Sequence, residues 1–460
     1  MACRPPTNTG RGNPYSTPSS DTRRNRRVTA AGMFDVRRAR LLAALDGAAA
    51  LIVAPGSPAE EGEFRRCASP DLYYLTGWEG PGAALFRPGA SQPYVLFVPP
   101  RRIHQEMVVG LGVGLDEAVD AHAADAAFPL DELEARLEVL VSGYTTLHYA
   151  YGHAPDMDAR VWRALRRGAP AAARNGVALP TTIVDAGVVG ALRGVKDAQE
   201  LALLRRAGAI CAEGHRAGMS VGRAGVHEYV VQAEVEAVFR RRGGQGPGYA
   251  SIVGGGANAC TFHYAANNDV LRPGTLCLVD AGCRVGHYTT DLTRTWPVDG
   301  RFSGPGRALY EVVHTAWQAG YAEVRAGVSW STVHDAVLRT LTEGLVALEL
   351  LHGDVQELIH EEEYRRFYPH EVGHWLGLDV HDPGAYYVGG RSRMLEVGMV
   401  LALEPGLYVQ ADDDDAPEAF RGVGVRIEDD LVVTEGAAEI LTDCPRSIAE
   451  IEGVMAARGR

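Results

Sequence analysis

Two short runs in this 460-residue chain each place an aspartate inside an otherwise strand-like stretch, and this restricts the fold more tightly than any other feature. The first is Leu278-Val279-Asp280-Ala281-Gly282-Cys283 and the second is Tyr288-Thr289-Thr290-Asp291-Leu292-Thr293-Arg294-Thr295. Read as a hairpin turning at Val285-Gly286, the strands pair residues whose numbers sum to 571, which sets Asp280 opposite Asp291. Opposed residues on such a ladder have Cα atoms about 4.5 to 5.5 Å apart. Like charges at that separation destabilise a sheet, so the pair calls for a cation. Valine suits a positive-φ turn position poorly, so a wider turn stays open, but any symmetric turn preserves the register. The competing reading is two unrelated solvated acids.

Two further runs carry chemistry. His370-Glu371-Val372-Gly373-His374 matches the H-E-x-x-H pattern in which a helix presents two imidazoles to zinc. Pro369, Gly373 and Gly377 disfavour that helix, and the residues after it alternate like a strand. Spacing of four also puts two side chains on one face of a strand. In the last run, Glu404 ends the apolar stretch Met399 to Leu403 and precedes Pro405-Gly406, while Arg426 and Glu428 share one face of a strand whose Val425 and Ile427 point the other way. Taken singly, these are a capped acid and a surface ion pair. Two aspartates, two glutamates and a histidine on several strands of one domain are together what a pair of divalent ions requires.

Composition narrows the alternatives. The net charge of −13 weighs against nonspecific nucleic-acid binding, which depends on cationic neutralisation of phosphates. No charge-free run of about 18 apolar residues occurs, which argues against a membrane span. The seven cysteines, Cys3, Cys67, Cys211, Cys260, Cys277, Cys283 and Cys444, are scattered without a C-x-x-C pair. That pattern fits reduced thiols in a cytoplasmic protein better than a disulfide framework or a thiolate zinc site. Lys196 is the only lysine, a bias that reads as codon usage rather than chemistry.

Residues 1–32 are rich in Pro, Ser, Thr, Asn, Gly and Arg, and are expected to form a disordered leader, with a transit peptide or a true start at Met33 as alternatives. Residues 33–190 alternate between helix and strand signals: a helix over Arg37 to Leu45, strands over Ala50 to Ala54, Ala83 to Phe86 and Tyr94 to Val98, and an amphipathic helix over Leu130 to Leu140. This reads as an α/β domain, with 184–190 leading into the next. Residues 191–460 begin with helices over 197–218 and 227–242, then strands, then helices over 305–325 and 331–349, then strands. That order suggests an internal duplication of fold.

On these motifs the chain resembles the aminopeptidase P (Xaa-Pro aminopeptidase) family of pita-bread metallopeptidases. Ser69 to Trp78 resembles the creatinase-like amino-terminal domain; His374 to Asp382, Glu404 to Tyr408 and Arg426 to Asp430 fall in the catalytic domain's order and spacing. The resemblance implies an α/β creatinase-like domain followed by an α+β pita-bread domain with internal pseudo-duplication. It implies metal ligands Asp280, Asp291, His374, Glu404 and Glu428, with Asp291 and Glu428 bridging two divalent ions, manganese for preference and zinc or cobalt as alternatives. Oxygen-rich ligation with one imidazole agrees with manganese. A hydroxide bridging the ions would be the nucleophile and Glu404 its proton shuttle.

By the same resemblance, His263 and His381 line the substrate site, His370 stands behind it and Arg426 supports substrate and glutamate. The expected activity is hydrolysis of the bond between an N-terminal residue and a following proline. That bond is a tertiary amide without an N–H, and it calls for a dedicated site. The partners implied are such peptides, with no nucleic acid or membrane, and a homodimer or homotetramer. Prolidase, acting on Xaa-Pro dipeptides, is the near rival; a metal-free binding module or a creatinase-type hydrolase is the distant one. Glu371, adjacent to His370, is expected to point away from the metals, and Asp412 to Asp415, which lack EF-hand spacing, to form a solvated turn.

Overall fold

Ala49–Ala54, a run of small and branched apolar residues, anchors a six-stranded sheet in the computed structural model of the protein, which describes residues 20–54, 67–100, 114–185 and 187–457, with side chains from residue 32 onward. The sheet runs in the order Ala126–Pro129, Tyr94–Val98, Gly82–Phe86, Ala49–Ala54, Thr146–His148, Thr182–Val184. Ala49–Ala54 pairs antiparallel with Gly82–Phe86 and parallel with Thr146–His148. Both faces of the central strand are buried, which is why it reads as a continuous apolar run. Ala50 and Ile52 pack with Leu41 and Leu72 on one side, and Ala49 and Leu51 with Leu137 and Val161 on the other.

The helix expected over Arg37 to Leu45 is longer and begins at Ser20, inside the segment expected to be unstructured; residues 1–19 of that segment lie outside the described residues. Its carboxy-terminal turns are fixed by burial of Arg37 and Leu41. Once those turns are nucleated, each upstream residue adds a hydrogen bond without a new nucleation cost.

The second half repeats one plan twice. Helices Ala198–Val221 and Glu228–Arg241 precede a three-stranded sheet ordered Thr293–Pro297, Leu276–Asp280, Ile252–Gly255. Helices Gly304–Glu323 and Trp330–Ala347 precede a four-stranded sheet ordered Gly373–Trp375, Val400–Leu403, Asp429–Val432, Glu439–Ile440. All four helices fall within a few residues of their expected spans. Asp197 opens the first with a capping box and also takes Arg37 at 2.8 Å, which ties it to the amino-terminal helix.

The hairpin carrying the two aspartates differs from expectation in register. Thr293, not Asp291, stands opposite Asp280, and Tyr288 stands opposite Val285. The turn is Gly286-His287, with φ of 58° and 68°, rather than Val285-Gly286. Both central positions need positive φ, which glycine accepts freely and valine does not. The pairing therefore slides by two residues. Because side chains alternate with period two, a slide of two keeps both aspartates on one face as diagonal neighbours.

Close backbone approach sets the other half of the site. Gly373 pairs with Leu403, and the Glu404 N–H donates to the Val372 carbonyl at 2.8 Å, which places His374 beside Glu404. A Cβ at Gly373 would stand 1.9 Å from the Ala402 carbonyl oxygen. Gly373→Ala is expected to lower the unfolding free energy by about 3 kcal/mol, read as a lower denaturant midpoint; an unchanged midpoint would contradict this packing.

Candidate metal centre

Strand ends from both sheets converge on one buried cluster of ionisable groups. Asp291, His374 and Glu428 each present a ligand atom, and these atoms lie within 4.8 Å of one another. His374 Nε2 is 3.4 Å from Asp291 Oδ2, 3.7 Å from Glu404 Oε1 and 4.0 Å from Glu428 Oε1. The His374 Nδ1–H donates to the Trp375 carbonyl at 3.1 Å, which turns Nε2 toward the carboxylates. Asp280 joins the cluster through Tyr249, whose hydroxyl lies 2.6 Å from Asp280 Oδ1 and also contacts Asp291 Oδ1.

Arg426 supplies the neighbouring positive charge. Its guanidinium donates to Asp280 Oδ2 at 2.6 Å, Thr293 Oγ1 at 3.0 Å and the Tyr408 hydroxyl at 2.9 Å. Thr293 in turn donates to Glu428 Oε2 at 2.7 Å. Glu428 Oε1 is buried without a hydrogen-bond partner. An orphaned carboxylate oxygen aimed at a histidine and two more acids is the pattern expected of a cation ligand.

The electrostatics agree. Burial, reinforced by Asp291, pushes the Asp280 carboxyl up to about 6 despite Arg426. Burial pushes Glu404 up to about 7 against the pull of His374 and Arg426. Burial together with Asp291, Glu404 and Asp280 drives Glu428 well above the carboxylate range. Asp291 is also penalised by burial, but His374 and Tyr249 outweigh that and hold it low. Burial opposes the charged form of His374, yet Asp291 and Glu404 raise it to about 9. Four carboxyl groups thus share too little positive charge to ionise together, and a divalent ion replacing the imidazole proton would supply what is missing.

Of the remaining expected residues, His381 packs edge-to-face on His374, with ring centroids 4.4 Å apart. Burial and the His374 charge lower its pKa. His263 is exposed and close enough to His381 for its charge to lower that pKa further. His370 stands behind the cluster, with Nδ1 to the Glu371 carbonyl at 2.8 Å and Nε2 to the Tyr408 hydroxyl at 2.9 Å, and burial keeps it neutral with a pKa of about 3.

The H-E-x-x-H run is not a zinc-binding helix: Gly373–Trp375 is a strand, and His370 bonds to Tyr408 rather than sharing a site with His374. Glu371 is exposed and lies 3.6 Å from His334, away from the cluster. Asp412 to Asp415 form a turn in which Asp413 pairs with Arg366, and Asp414 with Arg421 at 3.0 Å. Sequence reasoning missed Tyr249, Thr293, Tyr408 and Asp430, whose Oδ2 accepts the Asp291 N–H at 2.9 Å. Only Asp430 carried a signal, as the last acid of Glu428-Asp429-Asp430 on a buried strand.

Comparison with known proteins places this geometry. Residues 34–148 match the family described as aminopeptidase P, N-terminal domain, and residues 202–435 match metallopeptidase family M24. The chain is 38% identical over 435 residues to an Xaa-Pro aminopeptidase of Escherichia coli, covering 92% of this chain and 97% of that protein. It is 33% identical over 404 residues to Xaa-Pro aminopeptidase 3 of Homo sapiens, covering 84% and 76% respectively. Among solved structures, aminopeptidase PepP of Pseudomonas aeruginosa matches with a TM-score of 0.87 at 39% identity, over 93% of this chain and 98% of that one. Zinc-substituted E. coli aminopeptidase P in complex with product matches with a TM-score of 0.87 at 37% identity, over 94% and 99%. With its amino-terminal domain of the aminopeptidase P type and a catalytic domain matched over more than 200 residues, the chain belongs to metallopeptidase family M24.

Proposed function

We propose that this protein is a dimetal Xaa-Pro aminopeptidase, hydrolysing the bond between an N-terminal residue and a following proline. The observation that carries the reading is the convergence of Asp291, His374 and Glu428, with Asp280 and Glu404 at their edge, in a cluster short of positive charge. Asp280, Asp291, His374, Glu404 and Glu428 would hold two divalent ions, with manganese favoured by the oxygen-rich set. When bound, the ions would supply an attacking hydroxide at neutral pH and polarise the scissile carbonyl.

The chain's own groups do the rest. Glu404 is the partly exposed carboxylate of the cluster, at 21% of its side chain, so it can both face the metals and pass a proton toward the leaving amine. His381 and His263, on the open side of His374, are suited to donate hydrogen bonds to the oxyanion that develops at the carbonyl. Arg426 fixes Asp280 and, through Thr293, Glu428; His370 stays neutral and orients Tyr408. The proposal takes residues 33–190 as the amino-terminal domain and 191–460 as the catalytic one, a cytoplasmic location and assembly as a homodimer or homotetramer. Two facts are compatible with that location. The six described cysteines, Cys67, Cys211, Cys260, Cys277, Cys283 and Cys444, are free and buried, and no described helix is long and apolar enough to cross a membrane.

Three outcomes test this reading. With Mn2+, an Xaa-Pro-Xaa tripeptide should be cut and the Xaa-Pro dipeptide cut poorly; the reverse preference would make the protein a prolidase instead. Glu404→Gln should lower kcat by at least about 100-fold while the tripeptide KM changes little. The third concerns the metal-free protein, where Asp280, Glu404 and Glu428 have folded-state pKa values raised above their unfolded ones. Groups of that kind stabilise the fold below their unfolded pKa, and the contribution is lost as pH rises through the folded value. The Tm of the chelated protein should therefore fall between about pH 4 and 8, and the Tm gain on adding Mn2+ should grow over the same range; a metal-induced gain that shrinks as pH rises would contradict the assignment.

A further inference from the structure

Lys196, alone of its kind in the chain, is buried in an ion network that the proposed chemistry does not use. Its Nζ lies 3.0 Å from Asp382 Oδ2. Arg193 donates to Asp382 Oδ1 at 2.5 Å, to Asp379 Oδ2 at 2.7 Å and to Asp71 Oδ1 at 2.8 Å. Asp71 opens the helix Pro70–Thr76 of the amino-terminal domain, Arg193 ends the helix Gly187–Arg193 at the junction, and Asp379 and Asp382 lie in the loop after His374. Asp382 organises that loop, since it also accepts the Asp379 N–H at 3.1 Å and its own N–H donates to the Trp375 carbonyl at 2.9 Å. The fit is close enough that a Cβ on Gly377 would stand 2.6 Å from Asp382 Oδ2.

The residue just before Asp382 is His381. Its ring packs against His374, yet no hydrogen bond from the described residues holds it, so its orientation depends on where the loop backbone lies. Lys196 has a second anchor: its backbone N–H donates to the Gly398 carbonyl at 2.9 Å, and Val195 bridges to Met399, just before the strand Val400–Leu403 that leads to Glu404. Lys196 therefore spans the gap, its backbone anchored beside the strand leading to Glu404 and its ammonium on the loop carrying His381. A guanidinium already engages Asp382 Oδ1, so the space left at Oδ2 suits a compact point charge better than a second planar fork. Removing one partner would leave a buried charge uncompensated, and the loop would move to resolve it.

We propose that Lys196 and Arg193 are positioning residues for His381, and that the amino-terminal domain, through Asp71, takes part in setting the substrate-facing histidine of the catalytic domain. The inference rests on the role given above to His381 and goes beyond it. None of these residues is among the expected metal ligands, so the bound metal should survive their replacement.

A double-mutant cycle on the Mn2+-loaded full chain, assayed with an Xaa-Pro-Xaa tripeptide, tests it. Lys196→Met should lower kcat/KM by about 10 to 100-fold with metal stoichiometry unchanged. His381→Ala should lower it further, and the double variant should be no worse than His381→Ala alone. Asp71→Asn, which touches a half-exposed carboxylate, should show a smaller loss and the same non-additivity, and carries the test if Lys196→Met does not fold. Losses that multiply, unchanged kinetics in both network variants, or loss of bound metal would overturn the inference while the aminopeptidase reading stands. A fully active His381→Ala would overturn the role given to His381 and the inference with it, whereas a wild-type protein inactive on the tripeptide would overturn the aminopeptidase reading itself.

Discussion

Everything in the second half of this protein is arranged around one electrostatic problem: four carboxyl groups, Asp280, Asp291, Glu404 and Glu428, buried together with one imidazole and one guanidinium. Ionised carboxylates in such a setting are costly unless paired, and the raised pKa values of three of them express that cost. The two sheets solve it jointly. One contributes the aspartates from a hairpin, the other contributes His374 from an edge strand and Glu404 and Glu428 from beside strand ends, and Arg426 is the rivet between them. Each acid sits where a strand ends or bends, so its backbone stays paired while its carboxyl group points into the cluster.

The same geometry gives part of the acidic composition a meaning. Of the net −13, four charges belong to this cluster, where divalent ions rather than water are the fitting counter-charge. The lysine bias also reads differently in three dimensions. Codon usage accounts for a chain that is otherwise all arginine, but the one lysine occupies a buried point-charge position between two domains. Arg37 makes a parallel link to Asp197 and Glu200, so the amino-terminal domain is joined to the catalytic one by two separate ion networks, each centred on a buried arginine. Its contribution is one of placement, through the elements that flank the site.

How much of this was legible in the sequence follows from the range of the interactions concerned. Local signals carried far: apolar strands and the four long helices are set by residues within a turn or two of one another. The pairing of Asp280 with Asp291 was right in kind and displaced in register, because the turn chemistry of Gly286-His287 includes a histidine at positive φ, which no glycine or asparagine announces. Tyr249 could not have been found, since it reaches both aspartates from a loop some thirty residues upstream of the first. The helix Ser20–Ala44 extends through residues whose composition argued for disorder, because a packed carboxy-terminal end overrides weak local preference. The ion network around Asp382 joins positions separated by more than a hundred residues, and spacing rules see nothing of that kind.

The central claim is that this carboxylate cluster is a two-ion site. It is tested most directly by elemental analysis of protein purified without chelator and reconstituted with Mn2+. The account predicts close to two ions per chain in the wild type, with stoichiometric binding abolished by Asp291→Asn and by Glu428→Gln and retained in Lys196→Met. A wild-type chain that binds no Mn, Zn, Co or Fe, or one whose metal content is indifferent to Asp291 and Glu428, would contradict it.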